Sequence, residues 1–298
     1  MQIKRILFPT DFSKTAYLAL QQALVLATRY QAELVVLHAR LIHEDDPSQL
    51  PEKLAHLKMA EHEIEGEILK YIEECTSQAD QVQIKHEVIR GYSAHSAILS
   101  YLNDNDFDLI VMGSHGRSNL EQLLLGSVAE KVVRYASCPV LTVSRDAEIK
   151  NEFKRVLVPF DFKEHSVLAL ATALQISHKQ AQIDLLYVFE KDVHPAHYAW
   201  NFASALDLMP EVSDKAKTKM DEILSGLNTG RHKINKFILE GVAHKKITEF
   251  ANKNDVDLVI LASQGLVGLD RFLLGSTTEH IIRTVSQPIL TLKQRTLI

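Results

Sequence analysis

Residues 3–27, IKRILFPTDFSKTAYLALQQALVLA, align without a gap to residues 153–177, FKRVLVPFDFKEHSVLALATALQIS, with 11 identities in 25 positions. The match returns near the end of each half. Residues 108–145 and 257–294 share 15 of 38 positions, including Asp-Leu, Ser-x-Gly, Leu-Leu-Gly-Ser and Ser-x-Pro-x-Leu-Thr. Agreement of this kind marks a duplication, so one fold has to serve both halves. The chain has 298 residues, and half of that is enough for a core of its own. The expected domains are 1–147 and 152–298, joined by the charged connector AEIKNE at 147–152. That connector has no Gly/Ser run, and so short a link favours a packed pair.

Within one copy, strand-like and helix-like patterns alternate. IKRILFP is a short apolar run that breaks at Pro9. Ser13 is placed to cap a helix whose apolar residues, Tyr17, Leu20, Ala23, Leu24 and Ala27, recur at helical spacing. ELVVLHA reads as a strand buried on both faces. There follow a long helix over roughly 51–77, strand QVQIKHEVI, helix SAHSAILSYLNDN, strand DLIVMG, a loop, helix SVAEKVVRYA and strand PVLTVS. This alternation predicts a doubly wound α/β domain: a parallel sheet with helices on both faces. The second copy repeats it with a segment of its own, DVHPAHYAWNFASALDLMP.

Composition narrows the function classes. The chain is 46% hydrophobic and 24% charged, with a net charge of -5, which gives no general attraction to nucleic acid or anionic membrane. The N-terminal MQIKRILFPTDF has too short an apolar run for a signal peptide, and no window reaches the length of a membrane helix. A cytoplasmic location is the expectation. Cys75 and Cys138 have neither metal-type spacing nor a disulfide framework. His194 and His197 make an H-x2-H pair, a weak zinc signal without a third ligand.

The chemistry-bearing feature follows the fourth strand of the first copy: Met112-Gly113-Ser114-His115-Gly116, nine residues, then Gly126-Ser127 opening a helix. Glycines let a backbone approach phosphate oxygens closely and turn sharply. A helix N-terminus offers N–H groups and a favourable dipole to an anion. The alternative is structural: Gly113 and Gly116 make a strand-exit turn, and Gly126-Ser127 caps a helix. No G-x4-G-K-[ST] loop, G-x-G-x-x-G fingerprint or G-x-S-x-G elbow occurs.

The spacing G-x2-G-x9-G-[ST], with ILFPTDFS, VVLHA and S-x-P-V-L-T-V around it, resembles the nucleotide-binding signature of the universal stress protein family. The resemblance covers nearly the whole chain, as a tandem two-domain member of the ATP-binding type. It implies two Rossmann-like domains, each a five-stranded parallel sheet, and ATP, with Mg, as the ligand. Carried over, it sets Pro9, Thr10 and Asp11 beside the adenosine and gives Ala39 backbone contact with the adenine. It sets Met112 near the sugar and Gly113, His115, Gly116, Gly126, Ser127 and Val128 around the phosphates. Asp11 reads equally as a helix-start residue, His115 as a loop residue, and His38 as a core histidine. Arg117 is a nearby cation, either a phosphate contact or solvated.

The second copy departs from the pattern. Asp161, Gly265, Gly275 and Ser276 remain, but Ala262 replaces the first glycine and Phe160, a residue able to crowd the crevice, stands opposite Thr10. Weak or absent ATP binding is the expectation there. The leading reading is an ATP-binding regulatory protein with slow or no hydrolysis. The alternatives are a nucleotide-independent interaction module and a weak ATPase. The apolar last strands, at 140–144 and 289–293, are expected to pair the copies as an internal pseudo-dimer. Homodimerisation and an unnamed protein partner are compatible with this reading.

Overall fold

The computed structural model describes residues 2–41, 64–73, 82–116, 125–190, 208–263 and 275–293. The first half runs β1 (Arg5–Thr10), α1 (Lys14–Tyr30), β2 (Glu33–Leu41), α2 (64–73), β3 (Ile84–Gly91), α3 (Ala94–Asp104), β4 (Leu109–Gly113), α4 (Ser127–Tyr135) and β5 (Val140–Val143). The second half repeats it: β6 (Arg155–Pro159), α5 (Glu164–Ile176), β7 (Gln182–Phe189), α6 (Leu208–Ser225), β8 (Lys233–Glu240), α7 (Ala243–Lys253), β9 (Leu258–Ser263), α8 (Ser276–Thr284) and β10 (Ile289–Lys293). Cys75, Arg117, His194, His197, Gly265 and most of the expected 51–77 helix lie outside the described residues.

The strands form one ten-stranded sheet in the order β3-β2-β1-β4-β5-β10-β9-β6-β7-β8. Each half is a parallel five-stranded sheet, and the halves join where β5 meets β10 antiparallel, Leu141 opposite Leu290. The pairing expected of 140–144 and 289–293 is therefore present. It removes two apolar edges that would otherwise expose unpaired backbone groups. Each face of the sheet carries a core that crosses the boundary between the halves. One packs α1 and α5, through residues such as Leu20 and Leu170, against Phe8 and Phe153; the other packs α3, α4, α7 and α8 against Leu7, Ile110, Leu157 and Val259. Complete burial of such side chains is worth roughly 1.5–3 kcal/mol each before entropy is charged against it.

The repeated Asp-Leu pair proves to be a clamp. Asp108 accepts from the N–H groups of Lys4 and Arg5 at 2.7 and 3.0 Å, and Asp257 does the same for Lys154 and Arg155 at 2.8 and 2.9 Å. Each carboxylate thus satisfies the start of the central strand, β1 or β6, from the strand that crosses over beside it. The connector is held as firmly. The side-chain amide of Gln22, fully buried on α1, exchanges two 3.0 Å hydrogen bonds with the backbone of Lys150. Across the boundary, α4 and α8 face each other through Glu130, Arg134, Glu279 and Arg283. Arg283 reaches Glu279 at 2.6 Å on its own helix and Glu130 at 3.4 Å on the other. Arg134 mirrors this with Glu130 at 2.9 Å and Glu279 at 3.9 Å.

Candidate functional site

Strand order reverses between β1 and β4, and in such sheets a crevice opens beyond the strands' carboxyl ends. The chain leaves β1 through a turn held by its own side chains. Thr10 Oγ1 accepts from Phe12 N–H and Asp11 Oδ1 from Ser13 N–H, each at 3.0 Å. Phe12 sits in the left-handed region at φ 60°, a costly conformation for a bulky residue that this network holds in place. Ser13 then caps α1, accepting from Ala16 N–H at 3.2 Å. The helix-start role read for Asp11 is thus present for Oδ1. Its other oxygen, Oδ2, is turned toward the loop after β4.

That loop explains the glycines, in a way the sequence reading missed. Among the described residues, left-handed glycines occur at 230 and 241, so Gly113, Gly116 and Gly126 do not make left-handed turns. Each is required by close approach. A Cβ on Gly113 would lie 3.1 Å from Thr15 Cγ2 and 3.2 Å from Ala16 N, jamming β4 against the start of α1. One on Gly116 would lie 2.6 Å from Asp11 Oδ2. One on Gly126 would press within 3.3 Å of the Ser114 carbonyl, which accepts the Gly126 N–H at 2.8 Å. The loop's two ends are therefore pinned together, with Gly116 laid against the Asp11 carboxylate.

The eleven first-copy positions that the resemblance set at the nucleotide line one cavity of about 240 Å³, with Arg117 outside the described residues: Pro9, Thr10 and Asp11 from β1, Ala39 from β2, Met112 and Gly113 from β4, and His115, Gly116, Gly126, Ser127 and Val128 beyond it. Leu37, Ala94 and Ile98 complete an apolar end that the sequence reading did not name, although Ala94 and Ile98 stand four apart on α3. At the other end α4 begins after Gly126 with no side-chain cap. The N–H groups of Ser127, Val128 and Ala129 precede the first helical hydrogen bond, Glu130 N–H to Gly126 O at 2.9 Å. His38 also lines the cavity, but its Nδ1 is bonded to the Thr10 carbonyl at 2.9 Å and its ring packs on Phe12. His115 Nδ1 is bonded to Ser114 Oγ at 2.8 Å. On α3, burial and then the charge of Lys131 hold His95 below the usual histidine range.

The second half has a cavity of about 440 Å³ in the equivalent place, lined by Asp161, Gly275 and Ser276 among others. Phe160, expected at this crevice, is among the residues that line it. Phe160 is 3% exposed, with its ring 5.4 Å from Phe162 in the core on the α5 face. Ala262 is not in the left-handed region, so alanine carries no backbone penalty there.

Comparison with known proteins gives a consistent pattern. The sequence profile of the Universal stress protein family matches twice, at residues 2–144 and 152–293. Universal stress protein MJ0577 of Methanocaldococcus jannaschii is 35% identical over 155 residues, which are 48% of this chain and 95% of that protein. Universal stress protein YxiE of Bacillus subtilis is 34% identical over 147 residues, 47% of this chain and 97% of that one. The crystal structure of a universal stress protein from Archaeoglobus fulgidus superimposes with a TM-score of 0.67 at 22% identity, covering 99% of this chain and 100% of that one. This last likeness is one of fold.

Proposed function

Because this chain belongs to the universal stress protein family, as a tandem pair of its domains, we propose that it is an ATP-binding regulatory protein whose nucleotide sits in the cavity of the first domain. One observation carries the reading. Residues far apart in sequence, which the family resemblance sets around a nucleotide, converge on one cavity that is apolar at one end and rich in helix N–H groups at the other. Leu37, Ala39, Ala94 and Ile98 suit a flat adenine, and the start of α4 suits phosphate oxygens. Asp11 Oδ2, between these ends, is an acceptor for ribose hydroxyls.

A magnesium ion fits this arrangement in a restricted way. Among the described residues, Asp11 is the one carboxylate of the lining, and no group of three or more His, Cys, Asp or Glu side chains could hold a metal. The ion would therefore be held chiefly by phosphate oxygens and water, with Asp11 beside it, and would supply charge neutralisation. We read the protein as a binder with slow or no turnover, because among the described lining residues Asp11 is the one carboxylate able to assist attack by water.

Calorimetry of the full chain with Mg-ATP tests the reading, using Gly116→Val as control. The added side chain forces Asp11 and the loop apart. One site per chain is expected, with affinity reduced by roughly 2 kcal/mol or more in the variant. Absence of heat at millimolar ATP would leave the interaction-module reading in its place.

A further inference from the structure

The seam between α7 and α8 is built from side chains that the first domain does not share. The rings of His244 on α7 and His280 on α8 stack with centroids 4.4 Å apart and planes 28° from parallel. Further along the same two helices, the Thr248 and Thr284 hydroxyls are bonded at 2.9 Å. In the first domain the matching residues are His95 and Lys131, then Leu99 and Tyr135. Lysine there sets a cation beside the histidine, and its charge adds to burial in lowering His95. In the second domain a possible ligand stands where that cation was.

The hydrogen bonding of the pair has changed in step. His280 Nδ1 lies 2.7 Å from the Ser276 carbonyl. A carbonyl can only accept, so Nδ1 carries the proton and Nε2 keeps its lone pair. Histidines that ligate metals fix their second nitrogen in this way, commonly on a backbone carbonyl. His95 Nε2 has Ser93 Oγ at 3.5 Å, but Val242 holds the corresponding cap position of α7 and offers no hydroxyl. Neither ring nitrogen of His244 has a hydrogen-bond partner among the described residues. His244 is half-buried and His280 exposed, so an ion can reach the pair from solvent. Two imidazole nitrogens share an ion when each lies about 2.0–2.1 Å from it. From the stacked arrangement, His244 must turn a ring edge toward His280 Nε2, a rotation that breaks no hydrogen bond. The bonded threonine hydroxyls meanwhile hold the helices at their spacing.

We propose that His244 and His280 form a two-histidine site for a divalent transition-metal ion of the copper(II), nickel(II) and zinc(II) class, with water in its remaining positions. Imidazole ligands favour these ions over magnesium and calcium, and copper(II) is expected to bind most tightly. Among the described residues no third His, Cys, Asp or Glu joins the pair, so the ion is exchangeable. Once bound, it ties α7 to α8. Both helices border the second cavity, one through Ala243 and Ile247 and the other through Ser276 and Ile281. The site needs no nucleotide in either domain.

The test is titration of the full chain, purified without a histidine tag, with copper(II), nickel(II) and zinc(II) by calorimetry, together with electron paramagnetic resonance of the copper(II) form. Wild type is expected to bind one ion per chain ahead of any weaker surface binding, with two nitrogen ligands in the copper spectrum. His244→Ala and His280→Lys are each expected to weaken binding by roughly tenfold or more and to leave one nitrogen ligand. His280→Lys installs the residue that the first domain carries at this place, which keeps the variant within what the fold accepts. His95→Ala is expected to change neither readout. Zinc(II) should raise the thermal unfolding midpoint of wild type and leave that of His280→Lys in place, because the paired site exists only in the folded chain. Three outcomes overturn the proposal. They are no saturable binding in wild type, unchanged affinity in both His244→Ala and His280→Lys, and binding lost instead in a paired His194→Ala, His197→Ala variant, which assigns the ion to the H-x2-H pair.

Discussion

Lys293, at the end of the last strand, reaches across the domain boundary and donates from Nζ to the carbonyl of Ala136 at 2.8 Å. It also donates to the Arg134 carbonyl, so a residue of the second domain closes the C-terminal end of α4, whose other end borders the first cavity. Burial lowers the Lys293 ammonium to a pKa of about 8, with Cys138 pulling weakly the other way. An unfolded lysine keeps its proton to about pH 10.4, so between these values the unfolded chain holds a proton that the folded chain has released. Stability from this group therefore rises as pH goes from about 8 to about 10, and is constant below that window. Denaturant unfolding at pH 7, 8.5 and 10 should show wild type gaining on Lys293→Met across the window. Parallel curves for the two proteins would count against it.

The quartet Glu130, Arg134, Glu279 and Arg283 joins the two helices that begin at the two cavities. Its members are partly exposed, so an isolated pair would be worth little, but a shared network immobilises each side chain once for two partners. A double-mutant cycle of Glu130→Gln and Arg283→Met should give a coupling of about 0.5–1 kcal/mol, falling in high salt. Coupling that is absent at low salt would reduce the quartet to four solvated charges.

Gly113 should tolerate substitution poorly for reasons of packing. Its Cβ would meet backbone atoms of Thr15 and Ala16, which cannot swing aside as a side-chain tip can. Gly113→Ala is expected to cost about 1–3 kcal/mol by overpacking. Gly226→Ala, whose Cβ would make an ordinary 3.5 Å contact with the Ile223 carbonyl among the described residues, should cost far less. Thermal unfolding of the two variants side by side checks the contrast.

Asp184 is 0% exposed and accepts from Arg155 Nε at 2.8 Å, Gln182 Nε2 at 2.9 Å and Asn235 Nδ2 at 2.7 Å. Asp184→Ala would leave those donors and a cation facing an empty site. A loss of about 3–5 kcal/mol is expected in urea unfolding. The same substitution at Glu148, which is 81% exposed in its pair with Lys150, should be nearly silent.

The architecture was legible because its signals are local or periodic: the duplication, the apolar strand runs, the Ser13 cap and the apolar last strands. The cavity lining was legible because loop and helix-start residues follow strand ends whose order the fold dictates. What could not be read depends on distant approach. Nothing near Gly113 in sequence announces that Thr15 will lie 3.1 Å from its missing Cβ. Glu130–Arg134 and Glu279–Arg283 each look like ordinary surface pairs four residues apart until β5 meets β10. Asp184, inside the run QIDLLYVF, looks like an interruption of a strand, and its partners are brought to it by β6 and β8.

The antiparallel seam between β5 and β10 fixes each first domain to one second domain in the same molecule. A pair formed from two identical chains must carry every substitution twice, so its two pockets stay alike. Here the partners are inherited as one chain and can drift apart. Lys163 can arise without spoiling Ser13, and Phe160 without displacing Thr10. Fusion thus gives each half a licence to specialise that a symmetric assembly withholds.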